Sequence, residues 1–443
     1  AHTADHATGQ GLQLRVHPVA QPDPLPTELR RGLGPWLGAA VAALVLAGMY
    51  GKGPGWQGRW TDTTDMLHVT TGLLGGPLVL AAGCVLGGRE RRRGTLELLG
   101  SVPRDPVRRA LVAAAPAAAW PAAGHLVAAL VCLAATWPYA GGAGRPFLDL
   151  VLADTVALAS LGVLGHVVGR LVGWRLTAPL LAVVGYVGLA VGSYTDSGAR
   201  WLGPAAEHRY YWDQPVGWFA PASAAWAGGL ALAALVACAA RRGRPRLWAL
   251  VPLGVALAAG AAILRLPSDG PWRPDPAAAR LVCDGGSPQV CLPAVDRDLL
   301  PQVSAALAPM NARLHGLPGA PARWLTGPGE PGPGDRPLPD PAEDATRGRL
   351  DHPEQYANAV AQWLVSETCR PGDPVGPGTE QAALVQLAVL EWLAPAPDGY
   401  GVDSAPAQPL VDRLKAKSPE EQRGYLARFL AADRCDPAEV PLP

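Results

Sequence analysis

Between Gly88 and Arg109 the chain reads GRERRRGTLELLGSVPRDPVRR, with seven arginines and with Glu90 and Glu97 among them. Leu96, Leu98 and Leu99 around Glu97 suit a short amphipathic helix that Ser101-Val102-Pro103 ends, since proline biases the residue before it away from helix. A purely basic link needs neither an apolar patch nor a fixed Glu, so this stretch reads as a docking surface. A second set of residues lies inside apolar runs: His125, Asp154 and His166, with Asp149 at an edge. Ionisable groups are costly there and are functional candidates by default. His125, near the middle of its run, is the leading candidate for a translocation pathway; a histidine bonded to a neighbouring carbonyl is the plainer alternative. His166 and Arg170 share a helix face at i,i+4. A third set is Cys283, Cys291, Cys369 and Cys435. Four cysteines allow three pairings; Cys283 with Cys291 across Gly-Gly-Ser-Pro, and Cys369 with Cys435, is the pairing chosen here. A zinc site would want close C-x-x-C pairs, which are missing. Cys84, Cys132 and Cys238 fall inside apolar runs and are expected to be free.

Other chemistry is excluded by what the sequence lacks. There is no G-x-x-x-x-G-K-[ST] phosphate loop, no H-E-x-x-H and no G-x-S-x-G. None of Lys52, Lys415 and Lys417 follows a suitable glycine run. The chain is therefore read as no enzyme, with no cofactor or metal bound directly. His2, Asp5 and His6, and Glu207, His208 and Asp213, lack any known ligand spacing.

The elements that must position these residues are apolar. Of 443 residues 49% are hydrophobic and only 17% charged, against about 25% charged in soluble domains. The net charge is zero, so nothing argues for nucleic acid. A spanning helix needs about 20 mostly apolar residues, and candidates lie near 33–50, 69–87, 110–136, 149–172, 177–194, 220–240 and 247–265. Their many Ala and Gly residues favour close helix packing. Arginines gather in alternate links, around 30–31, 89–109, 170–175 and 241–246. Aromatics such as Trp56, Trp137, Trp201 and Tyr211 gather in the others. Positive-inside bias then puts the arginine links and the N-terminus in the cytosol and the C-terminus outside. Residues 1–26 have no apolar h-region and read as a disordered cytosolic tail rather than a signal peptide. Residues 27–36, with Thr27 as N-cap, suit a short interfacial helix or simple anchoring. The stretch 195–219 is too polar to span and reads as a surface-lying or re-entrant segment.

RERRRGTLELLGSVPR, set between the second and third spans, resembles the coupling segment of ABC-2 type transporter permeases. An acidic residue among arginines, then Gly-Thr, Glu-Leu-Leu and a Ser-x-Pro end carry the likeness, which covers about residues 25–240. The resemblance implies a permease subunit, an exporter, that dimerises with a second permease copy or paralogue. It implies a cytosolic ATPase subunit that holds ATP and magnesium and docks on Glu90, Arg91, Arg92, Gly94, Thr95, Glu97, Leu98 and Leu99. The implied location is a bacterial plasma membrane. A seventh span and a large following domain depart from the family pattern. A membrane-anchored sensor or scaffold, whose outer domain binds a ligand without transport, is the alternative.

Residues 267–443 read as an extracellular, mostly helical, disulfide-stapled domain. Asp296 is placed as the cap of a helix to Leu307. Asp351 and Glu354 cap a second helix, with Tyr356, Val360, Trp363 and Leu364 as its apolar face. A third runs over about 380–393. Ser418-Pro419-Glu420-Glu421 opens a fourth, with Leu426, Phe429 and Leu430 inward. The Pro/Gly-rich stretch 326–345 is expected to be loose. The fold class expected is thus an all-α polytopic membrane protein of about seven transmembrane helices (27–266) followed by this domain.

Overall fold

The structure is a computed structural model that describes residues 25, 29, 32–51, 53–92, 105–195, 197–205, 210–240, 244–267, 269–366, 379–397, 403–433 and 436–443. Six of its helices are long and apolar enough to cross a membrane. Five are α1 (Gly34–Gly51), α2 (Trp60–Gly87), α3 (Pro106–Thr136), α4 (Leu148–Leu171) and α6 (Phe219–Ala239). The sixth, α7 (Leu250–Leu264), follows a 3-10 turn at Arg244–Ala249. Between α4 and α6 lies α5 (Thr177–Ser193), apolar but only 17 residues long. At 1.5 Å per residue it spans about 26 Å, less than the roughly 30 Å of a bilayer core.

The second helix corrects the expected bounds. It starts at Trp60, not near 69, because TDTTDMLH forms its first turns. Thr64 donates back to the Trp60 carbonyl and Thr63 to the Arg59 carbonyl. Such back-bonds hide hydroxyls that would otherwise be costly among apolar neighbours. At Thr71–Gly75 the helix widens into a π turn, and Gly76 N–H bonds to the Thr71 carbonyl. Pro77 follows at once and has no N–H to give, so the regular ladder is interrupted there.

Helix α4 is central. Helices α2, α3 and α6 pack along it, α1 lies on α3, α5 on α2 and α7 on α6. The α2–α4 seam is made by glycine. A Cβ at Gly87 would stand 2.0 Å from the His166 carbonyl oxygen, and one at Gly165 would stand 2.0 Å from that of Leu80. Only hydrogen fits, so the two backbones touch, as small residues in apolar bundles permit.

The C-terminal module is not helical alone. Strands β3 (Leu281–Cys283), β4 (Gln289–Pro293), β5 (Arg323–Leu325) and β6 (Asp335–Pro337) form one sheet in chain order. β3 and β4 are antiparallel; β4, β5 and β6 are parallel. Helix α8 (Leu300–Leu314) makes the β4-to-β5 crossover. The stretch expected to be loose carries β6, held by Arg323 to Asp335 in a two-point pair at 2.9 and 2.8 Å. Helices α9 (Pro353–Val365), α10 (Thr379–Leu393), α11 (Gln408–Ala416) and α12 (Pro419–Ala431) complete the module. One core joins them, with Trp324, Leu307, Tyr356, Tyr425 and Phe429 buried. Each such side chain contributes roughly 1.5–3 kcal/mol of burial. The capping box at Ser418 and Glu421 forms as read. Two other caps do not. Helix α9 starts after His352, and Asp351 instead accepts from Thr346 at 2.5 Å; Trp363 on that helix is 53% exposed. Helix α8 starts four residues beyond Asp296, whose carboxylate is engaged elsewhere.

Three links from the helical half meet this module. Ala143 N–H bonds to the Ala294 carbonyl at 2.8 Å, and Gly142 lies against Val295. Arg347 Nε donates to Gln57 at 2.7 Å. β1 (Asp213–Pro215) pairs antiparallel with β2 (Trp272–Pro274).

Candidate functional site: two buried ionic clusters

The first cluster lies inside the helices. His68 on α2 and Asp154 on α4 are both buried, with Nδ1 and Oδ1 2.7 Å apart. One π-turn step along α2, Thr71 Oγ1 lies 3.1 Å from Nδ1 of His125 on α3. His125 is fully buried and within electrostatic reach of both Asp154 and His68. Three helices thus bring two imidazoles, a carboxylate and a hydroxyl together. A carboxylate in apolar surroundings needs a hydrogen-bond donor or a cation, and the His68 ring supplies it.

Beside this cluster runs a slot of about 170 Å³. Its back wall is α4, from Leu150 to Leu164, about 21 Å of helix at 1.5 Å per residue. Phe219 to Leu230 of α6 form one side and Leu189 of α5 the other. α5 and α6 are not closely packed on each other, which leaves the slot between them. Leu202-Gly203-Pro204 also line it, and that segment packs against the helices. A Cβ at Gly72 would stand 1.9 Å from the Pro204 carbonyl oxygen, and Gly72 is about 18 Å along α2 from Trp60.

The second cluster sits where α2 meets the C-terminal module. Arg59, the residue before α2, is 4% exposed. Its Nε and Nη2 donate to the two oxygens of Asp296 at 2.5 and 2.8 Å. Its Nη1 and Nη2 donate to those of Asp340 at 2.9 and 2.5 Å. Asp62 is 3.6 Å away, and the Tyr211 ring centroid lies 3.7 Å from Cζ. The planar fork of arginine suits such two-point pairing. Burial alone would lower the guanidinium pKa, but the surrounding carboxylates hold it well above its usual value. Asp296 is pushed up to about 7: burial raises it, Arg59 lowers it, and Asp340 and Asp62 raise it again. Burial likewise pushes the Tyr211 hydroxyl upward.

The structure distributes the sequence-predicted residues unevenly. Asp154 and His125 come together. His166 does not join them: it is about 18 Å along α4 from Asp154, buried in the glycine seam, and neither ring nitrogen has a hydrogen-bond partner in the structure. Cys283 and Cys291 are bridged and face each other across β3 and β4. Cys84, Cys132 and Cys238 are free thiols. The pairing of Cys369 with Cys435 lies outside the described residues. Of the docking stretch, Arg89–Arg92 forms a helical turn. Arg91 Nη2 donates to the Arg170 carbonyl at 2.9 Å, and Arg92 donates to the Val85 carbonyl. Gly94, Thr95, Glu97, Leu98 and Leu99 lie outside the described residues, as does the Glu90 side chain. Among the described residues, no group of three His, Cys, Asp or Glu side chains could hold a metal ion.

Sequence reasoning missed His68, Thr71, Arg59, Asp296 and Asp340 as site residues. One signal was available. Thr61, Thr64, His68 and Thr71 recur at helical spacing, a polar stripe on the face the bundle buries. No comparable signal links Arg59 to carboxylates 237 and 281 residues away. No family model, curated protein or solved structure matches this chain.

Proposed function

We propose that the chain is the membrane-spanning permease subunit of an ATP-binding cassette transporter, working as an exporter beside a second permease copy. ATP and magnesium are held by a separate cytosolic subunit docked on residues 88–109. In this reading the arginine links face the cytosol of a bacterial cell, α5 crosses the bilayer despite its length, and the C-terminal module is extracellular. One observation carries the reading. The docking stretch joins α2 to α3, both of which press on α4, while Arg91 donates to the Arg170 carbonyl near the end of α4. A push on residues 88–109 is therefore delivered to three packed helices at once. The tight α2–α4 seam transmits it, because close-packed interiors shift as units rather than deform.

The sensor or scaffold reading draws support from the Arg59 cluster, which fastens the module to the start of α2 and could carry a signal inward without transport. Purification of the full chain from its native membranes separates the two readings. The permease reading expects a P-loop ATPase to co-purify, and Glu97→Ala and Arg92→Ala to reduce its retention. Retention unchanged in both variants would sink the docking assignment.

A further inference from the structure

The slot between α5 and α6 has a chemical bias. Its lining is apolar apart from His68, Asp154, Ser160 and Ser223. Ser160 Oγ is spent on the Val156 carbonyl at 2.6 Å, whereas Ser223 Oγ has no partner in the structure. No lysine or arginine lines the slot. An anionic head group entering it would meet Asp154 and no cation but the His68 ring that Asp154 already engages. A cationic head would meet the Asp154 carboxylate and the Ser223 residue, whose oxygens favour positive charge. The size is equally selective. At about 170 Å³ the slot is smaller than the roughly 300–1,000 Å³ of pockets for drug-sized molecules. Yet it is long, following α4 for about four turns. That shape suits one extended alkyl chain and excludes a peptide, a glycan or a two-chain lipid. The Leu202–Pro204 segment lines it beside α5, and α5 and α6 are not closely packed where it runs.

We propose that this slot binds a single-chain amphiphile with an ammonium head, its head at Asp154 and Ser223 and its chain along α4. Occupancy of this slot is independent of the transporter reading and needs no ATPase.

Photolabelling of the full chain in lipid nanodiscs tests it, with a diazirine-bearing dodecylamine as probe and peptide mass spectrometry as readout. Unlabelled dodecylamine, dodecanol and dodecanoate serve as matched competitors. The expected result is labelling of 150–164 and 219–230, suppressed by dodecylamine at concentrations about tenfold lower than dodecanol, a difference of about 1.4 kcal/mol. Dodecanoate should compete least. Asp154→Asn should erase the advantage of the amine over the alcohol. Ala227→Leu, which fills the slot without touching the ionic pair, should suppress labelling of both peptides. The ranking in the unaltered protein stands even if Asp154→Asn fails to fold. Equal competition by all three compounds, preference for dodecanoate, or undiminished labelling in Ala227→Leu would each overturn the proposal.

Discussion

The two buried ionic clusters use charge in opposite ways. At the boundary between halves, Arg59 spends its guanidinium on Asp296 and Asp340, with the Tyr211 ring over it. It fastens two parts of the chain, with four of its five N–H donors spent on carboxylates. Inside the helices, Asp154 and His68 satisfy each other at 2.7 Å yet border a slot, with Ser223 opposite. The first arrangement is a fastening and the second a site. The difference lies in surroundings rather than residue types: the Arg59 cluster borders a cavity of only about 20 Å³, while the His68 pair borders the slot of about 170 Å³.

Removing Arg59 should give the largest effect. Arg59→Ala leaves two carboxylates at a buried junction, and breaking such a pair costs about 3–5 kcal/mol. Hydrogen exchange over 294–300 and 337–342 should rise sharply, while exchange in α4 stays as before. Equal exchange in variant and wild type would mean that Arg59 fastens nothing.

Replacing Cys283 and Cys291 by alanine should cost the module about 2–3 kcal/mol, the loop-closure value for so short a loop. It should leave the Arg59 junction protected. Thermal unfolding of the module, followed beside exchange at 294–300, separates internal stability from attachment. His68→Gln should be milder, about 1–2 kcal/mol, because a neutral donor still reaches Asp154. The fall should appear in the unfolding of the helical half alone.

What could be read from the sequence follows from how local each signal is. Apolar length found the six helices long enough to cross a membrane, and Ser418 with Glu421 announced its cap three residues ahead. The Cys283–Cys291 bridge was legible because its partners are eight residues apart. Where a polar residue had a distant partner, local rules misplaced it. Asp296 looks like a cap because nothing near it says that Arg59 will claim it. The polar opening of α2 was lost to the hydropathy window, since threonines hide their hydroxyls only once the helix exists. The short strands β5 and β6, three residues each, carry no alternation to recognise, and the pairing of β5 with β4 depends on the α8 crossover.

The transport account rests on residues 88–109 passing force from an ATPase to α2, α3 and α4. Its most direct test is ATP turnover by the co-purified complex in proteoliposomes, compared with the ATPase subunit alone. The account predicts membrane-stimulated turnover that falls to the level of the isolated subunit in the Glu97→Ala, Leu98→Ala double variant, with the permease still folded. Stimulation unchanged in that variant would contradict it.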